Sequence, residues 1–169
     1  YLDHAATSPV HPRVRQAVVE ALDLPGNPSS VHAEGRAARA RLEQARRRLR
    51  AAIGVGDQGA LVFTSGATEG NNIAIKGAFE MYAERGRHII TQPTEHKAVI
   101  DPCKRLQAEG FDVTFLDPPA DGDHTVEQVA EAIRDDTILV TIMWANNEIG
   151  TINPVPEIGK LCRERGVIF

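Results

Sequence analysis

The chain has 169 residues, of which 42% are hydrophobic and 25% are charged, which is typical of a globular domain or part of one. A net charge of −4 gives no reason to expect a nucleic-acid partner. Two widely separated cysteines, Cys103 and Cys162, favour a reducing compartment such as the cytoplasm and argue against a thiolate-bound metal. The longest apolar run, Ile138 to Ala145, is too short to span a bilayer, so we expect no membrane association.

The first part of the chain predicts two helices. Apolar residues at helical spacing indicate a helix over 12–22, which the prolines and glycine of 25–30 interrupt. A second, longer helix over 33–53 is expected to end at Gly54. Seven arginines crowd residues 36–50, where they alternate with alanine and leucine. We interpret them as a solvated helix face rather than a nucleic-acid surface, because no aromatic residue interleaves the charges.

From residue 60 onward, apolar strand-like runs alternate with helical patterns, which predicts an α/β fold with a mainly parallel sheet and flanking helices. The predicted strands are 60–64, 88–91, 111–116, 137–143 and 167–169, and the predicted helices are 67–84, 96–109, 125–134 and 154–166. We expect residues 1–10 to form an N-terminal arm and residues 11–169 an incomplete large domain. The start at Tyr1 rather than at methionine, and an end that resembles the beginning of a buried strand, indicate a piece of a longer protein.

Polar loops follow three of the predicted strands. They contain Ser65 to Asn72, Thr94 to Lys97, and Asn146 to Thr151. Open α/β sheets bind ligands beyond the carboxyl ends of their strands, so we expect these three loops to meet at one rim of the sheet. Their convergence predicts a binding site more firmly than any single loop.

The first of these loops is suited to binding a phosphate. A helix start leaves backbone N–H groups without partners and carries partial positive charge, and Gly66 and Ala67 are small enough for an anion to approach the backbone. The alternative is that Ser65, Gly66 and Thr68 serve only to begin the helix.

The other two loops add side chains that suit an aromatic ligand. The ring of His96 can stack on an aromatic ring and carry a proton near neutral pH, and the amide of Asn146 or Asn147 can hydrogen-bond to a ring hydroxyl. Together with a phosphate site, these residues predict a phosphorylated aromatic cofactor. The alternatives are a helix-capping or surface role for His96 and a turn at the two asparagines.

Three motifs, TSGATEGNN, TEHKAVI and MWANNEIGT, in this order and spacing resemble the cysteine desulfurases of the iron–sulfur and nitrogenase maturation type. These are pyridoxal-phosphate enzymes of the class V aminotransferase family. YLDHAATSPVHPRV and GNPSSVH extend the resemblance over the whole chain. The resemblance implies the aminotransferase fold of type I, with this chain as an N-terminal part of the large domain, in a cytoplasmic homodimer.

The resemblance also implies roles for individual residues. Ala67 and Thr68 match the pair that holds the cofactor phosphate, through the backbone and a hydroxyl respectively. His96 matches the catalytic histidine stacked over the pyridine ring, and Asn147 matches the asparagine near the ring hydroxyl and the substrate carboxylate. Asn146 is expected to be a structural partner of Asn147. No metal site is expected.

The activity implied by the resemblance is the conversion of L-cysteine to L-alanine, with an enzyme persulfide passed to an iron–sulfur scaffold or another sulfur-acceptor protein. The lysine that binds the cofactor and the nucleophilic cysteine match no residue of this chain, so the chain by itself is expected to be inactive. The alternatives are another class V enzyme, such as a selenocysteine lyase, and a non-catalytic fragment.

Overall fold

The computed structural model describes residues 1–56, 59–119 and 124–169. These residues form two compact units, Tyr1–Phe63 and Thr64–Phe169. The division into an arm and a large domain at residue 10 stays a prediction.

The first unit contains two helices, α1 (Pro12–Leu22) and α2 (Ala33–Ala52). Each begins at a histidine, His11 or His32, whose ring accepts a hydrogen bond from a backbone N–H of the first turn. Beyond the end of α2, Gly54 adopts a left-handed backbone conformation with φ of 73°, where a side chain would be strained. The two helices predicted from the spacing of apolar residues are confirmed.

The arginine-rich sequence of α2 has a structural role. Several of its guanidinium groups donate hydrogen bonds to backbone carbonyls in the segments that flank the helix, which are not paired in a sheet. The pairs are Arg36 with Val31, Arg39 with Pro28, Arg46 with Leu61, and Arg50 with Gly56.

The second unit alternates helices and strands. Its elements are α3 (Ala67–Tyr82), β1 (His88–Thr91), α4 (Lys97–Ala108), β2 (Asp112–Phe115), α5 (Val126–Ala132), β3 (Thr137–Val140) and α6 (Val155–Arg165). Within the described part of the chain, the strands form one sheet in the order β2-β1-β3, and both pairings are parallel. Parallel strands place their carboxyl ends at the same edge, which is the geometry that the predicted site requires.

The core has two parts, one on each face of the sheet. Successive residues of β1 point to opposite faces, so that Ile89 belongs to one cluster and Ile90 to the other, and both are fully buried. The first cluster includes Val99 and Leu106 of α4, and the second includes Ile158 of α6. A parallel sheet covered by helices on both faces confirms the predicted α/β class.

Two predicted strands differ from the structure. The predicted strand 60–64 is wrong: the described residues there have no strand partner, Val62 is 72% exposed, and the carbonyl of Leu61 accepts from Arg46. An apolar run forms a strand only where a neighbouring strand satisfies its backbone groups. The predicted strand 167–169 is reduced to one bridge between Ile168 and Leu139.

The other strands agree with the prediction to different degrees. Strand 88–91 is confirmed at both ends, whereas the strand predicted over 137–143 begins as predicted at Thr137 but ends early, at Val140. Among the residues that the structure describes, no helix has the length and apolar character needed to cross a membrane.

Candidate functional site

Three segments of the second unit carry the residues expected at the site. One is the start of α3, which follows Ser65 and Gly66. The second is the 92–96 loop, which joins β1 to α4, and the third is the 141–153 loop, which joins β3 to α6. Because β1 and β3 are parallel neighbours, these two loops leave the sheet at the same edge.

The first turn of α3 presents free backbone groups. Gly66 precedes the helix and provides no side-chain cap, so the N–H groups of Ala67 and Thr68 have no partner within the helix. Both residues are exposed. The Glu69 carboxylate accepts from the N–H of Ser65 at 2.6 Å, and this bond holds the pKa of Glu69 below its usual value. An anion can therefore reach the N–H groups of the first turn.

His96 begins α4 as its N-cap residue. Its Nδ1 accepts a hydrogen bond from the N–H of Ala98 at 3.0 Å, which stabilises the first turn of the helix. Since a backbone N–H can only donate, Nδ1 is unprotonated and the proton of the neutral ring lies on Nε2. The ring is nevertheless exposed. The capping role considered for His96 is thus present, and it leaves the ring face and Nε2 available to a ligand.

Thr68 and His96 line the same cavity, which has a volume of about 370 Å³. This cavity brings together the start of α3 and the start of α4, as expected from the sequence. Lys76, Lys97 and Arg105 add three positive charges to its lining, against one negative charge from Asp101, and Arg105 is also paired with Glu109. The other lining residues are Asn72, Ala98 and Pro102. An anionic ligand suits this charge balance and the helix N-termini beside it.

The two adjacent asparagines differ sharply in environment. Asn146 is 8% exposed, and its side chain donates to the carbonyl of Thr94 at 2.8 Å. Its Oδ1 accepts from the N–H groups of Glu148 at 2.8 Å and Ile149 at 3.0 Å. Asn147 is exposed, and it lies outside the lining of the cavity that contains His96. Asn146 therefore shapes the loop, while the side chain of Asn147 remains available for a ligand.

Glu95 is a residue to which the sequence analysis gave no role. It is 8% exposed, and its Oε1 accepts from the side chain of Gln92 at 2.9 Å and from the backbone N–H of Met143. Burial raises the pKa of its carboxyl group, and these two hydrogen bonds oppose that shift. Glu95 thus connects the 92–96 loop to the 141–153 loop.

Asn153 is a second residue that the sequence analysis missed. It is 2% exposed, its amide donates to the carbonyl of Met143 at 2.7 Å, and its Oδ1 accepts from the N–H of His124 at 3.0 Å. The residue Met143 is therefore held on its N–H side by Glu95 and on its C=O side by Asn153. The sequence does show that Asn153 is a polar residue in the loop after a buried strand. It does not show which of the polar residues in that loop are buried.

Both cysteines belong to the core. Cys103 and Cys162 are fully buried, and burial raises the pKa of each thiol to about 11. With a pKa this high, neither cysteine forms a thiolate at neutral pH. Over the described ranges, no group of three or more His, Cys, Asp and Glu side chains is placed to hold a metal ion.

Comparison with known proteins identifies close relatives. Cysteine desulfurase IscS of Shewanella baltica is 49% identical over an alignment 173 positions long, which covers all of this chain and 43% of that protein. Cysteine desulfurase IscS of Tolumonas auensis matches at the same identity and coverage. The chain thus spans less than half the length of these curated relatives.

Solved structures show the same likeness. A structure described as SspA in complex with cysteine has a TM-score of 0.89 and 40% identity, covering 99% of this chain and 48% of its own. A NifS-like protein has a TM-score of 0.90 and 37% identity, covering 98% and 45% respectively. The sequence model of the family described as aminotransferase class-V matches residues 1–169. Since that match extends over every residue, the chain belongs to the class V aminotransferase family.

Proposed function

We propose that this chain is part of a pyridoxal-phosphate-dependent cysteine desulfurase, which converts L-cysteine to L-alanine and retains the sulfur as an enzyme persulfide. The observation that carries the proposal is the single cavity that Thr68 at the start of α3 shares with the exposed His96 at the start of α4. Membership of a pyridoxal-phosphate-dependent family supports the cofactor. The names of the relatives support the reaction.

The residues at the start of α3 suit the phosphate of this cofactor. The first-turn N–H groups of Ala67 and Thr68 can donate to phosphate oxygens, as can the exposed Thr68 hydroxyl. Lys76 and Lys97 make the cavity positive, which favours a dianionic group. The donor set therefore fits a phosphate monoester.

His96 can perform two tasks with one ring. The bond from Ala98 to Nδ1 holds the ring at the cavity, and its exposed face offers a surface on which the cofactor's aromatic ring would stack. The proton on Nε2 can then be donated in a hydrogen bond to a group near the substrate, and the ring takes up a further proton only at Nδ1, in exchange for the bond from Ala98. The cofactor, when bound, supplies the electron sink for carbon–sulfur chemistry, and the protein supplies position and protons.

Asn147 is proposed to bind the cofactor's ring hydroxyl and the substrate carboxylate through its amide. Its exposed position leaves both the donor and the acceptor of the amide free for this purpose. Asn146 holds the loop in shape through three hydrogen bonds. The pair thus divides into a binding residue and a structural residue.

The wider setting is also a proposal. We expect the complete enzyme to be a cytoplasmic homodimer that passes its persulfide sulfur to an iron–sulfur scaffold or another sulfur-acceptor protein. The similarity to proteins named IscS and to a NifS-like protein supports this assignment.

The test uses the complete protein that carries this chain. We expect it to bind pyridoxal phosphate, seen as a visible absorption band, and to form alanine and protein persulfide from L-cysteine in equal amounts. Protein stripped of the cofactor is the matched control and should form neither product. A complete protein that binds no pyridoxal phosphate, or that consumes selenocysteine but not cysteine, would contradict the proposal.

A further inference from the structure

We infer that Glu95 is a positioning residue, which sets the placement of His96 relative to Asn147 by joining their two loops through its buried carboxylate. The inference rests on the proposed function for the chemical roles of His96 and Asn147. The connection itself rests on contacts of the structure: Oε1 of Glu95 accepts from the N–H of Met143, in the other loop.

The position of Glu95 in the sequence links this contact to the residues with proposed chemical roles. Glu95 directly precedes His96 in the sequence, and Asn146 directly precedes Asn147. The second bond between the loops runs from the Asn146 amide to the carbonyl of Thr94 at 2.8 Å. Each residue with a proposed chemical role is therefore preceded by a buried residue that holds it against the opposite loop.

The chemistry of a carboxylate suits this task. One oxygen of Glu95 accepts two hydrogen bonds, from Gln92 and from Met143, so that a single atom joins the two loops. The Gln92 bond orients the carboxylate from within its own loop. A displacement of about 1 Å in a catalytic group can lower the rate about 100-fold. Loss of the acceptor should therefore reduce turnover without removing any group that touches the substrate.

Two substitutions separate the acceptor from the volume of the side chain. Glu95→Gln keeps an oxygen that can accept from Met143, whereas Glu95→Leu has a similar volume and no acceptor. Glu164→Ala is the matched control, because Glu164 is an exposed glutamate of α6 whose ion-pair contact is a long one to Lys160 at 4.0 Å.

The first measurement does not depend on the cofactor. Hydrogen–deuterium exchange of the complete apoprotein is followed by mass spectrometry on peptides that contain Met143. In Glu95→Leu the Met143 amide should exchange about 10- to 100-fold faster than in the wild type, because its acceptor is lost. Glu95→Gln should remain closer to the wild type than Glu95→Leu does, and Glu164→Ala should match the wild type.

The second measurement uses the loaded enzyme. Glu95→Leu should lower kcat about 10- to 100-fold and shift the cofactor's visible absorption, while Glu95→Gln should restore most of both. Unchanged exchange at Met143 in Glu95→Leu, or unchanged kcat and absorption in that variant, would overturn the inference. If the wild type itself lacks cofactor binding or desulfurase activity, the proposed function fails, and the exchange experiment still decides whether Glu95 holds the 141–153 loop.

Discussion

The adjacent residues Asn146 and Asn147 offer a direct comparison between a structural and a binding role. Replacing Asn146 by alanine removes hydrogen bonds to the carbonyl of Thr94 and from the N–H groups of Glu148 and Ile149. Since each such bond contributes about 0.5–1.5 kcal/mol net, the loss of three should lower the free energy of unfolding by about 1.5–4.5 kcal/mol. Asn147→Ala should change it by less than about 0.5 kcal/mol, because that side chain is exposed.

Denaturant unfolding of the complete apoprotein, at one fixed protein concentration, measures this difference. In the loaded enzyme, Asn147→Ala should shift the pH dependence of the cofactor's visible absorption and raise the KM for cysteine. Asn147 serves here as the control for Asn146, since the two substitutions remove the same atoms from neighbouring positions. Equal destabilisation by both substitutions, or an Asn146→Ala protein as stable as the wild type, would refute the reasoning.

The remaining predictions concern four other residues. His96→Asn should keep the N-cap of α4 and lower kcat about 10²- to 10⁴-fold. His96→Ala should in addition lower the free energy of unfolding by about 0.5–2 kcal/mol, because the cap is lost. If His96→Asn and the wild type have the same kcat, the ring serves only to cap the helix. Thr68→Val should weaken cofactor binding about 10- to 100-fold in a titration, and Thr68→Ser should not. Burial lowers the pKa of His88 from its usual 6.5, so acidification below about pH 6.5 should destabilise the wild type but not His88→Gln to the same extent, as measured by urea unfolding. Burial raises the pKa of Glu95 above its usual 4.5, so the folded state favours the protonated carboxyl group. The wild type should therefore lose stability relative to Glu95→Gln as the pH rises from 4.5 through that raised pKa. If the difference in free energy of unfolding between the two proteins does not change with pH, this link between ionisation and folding is absent.

Local patterns were sufficient for most of the helices and for the parallel strands. The helix starting at Ala67 and the strand His88–Thr91 were expected from residues within a few positions of each other. Apolar periodicity works here because one face of each element must be buried against the sheet or its covering helices. The strand predicted over 60–64 failed for the opposite reason, since strand formation depends on a partner that is distant in the sequence.

The site divides in the same way. The sequence by itself determined that small and polar residues follow the strands, that Thr68 lies in the first turn of a helix, and that His96 begins another. It also determined the family, through motifs whose residues, order and spacing are read directly from the chain. These features depend on residue type and short-range geometry, which the sequence contains directly.

Only the tertiary structure decided which polar side chains are buried. Asn146 and Asn147 are identical in type and adjacent in sequence, yet only the first is buried and bonded to the 92–96 loop. Glutamate is a residue type that is usually exposed. At Glu95, however, the parallel pairing of β1 with β3 brings the N–H of Met143 to the side-chain carboxyl group. This hydrogen bond joins residues 48 positions apart in the sequence. Its strength depends on how close the two groups lie in the folded chain and on how deeply they are buried, and a local pattern of residues specifies neither.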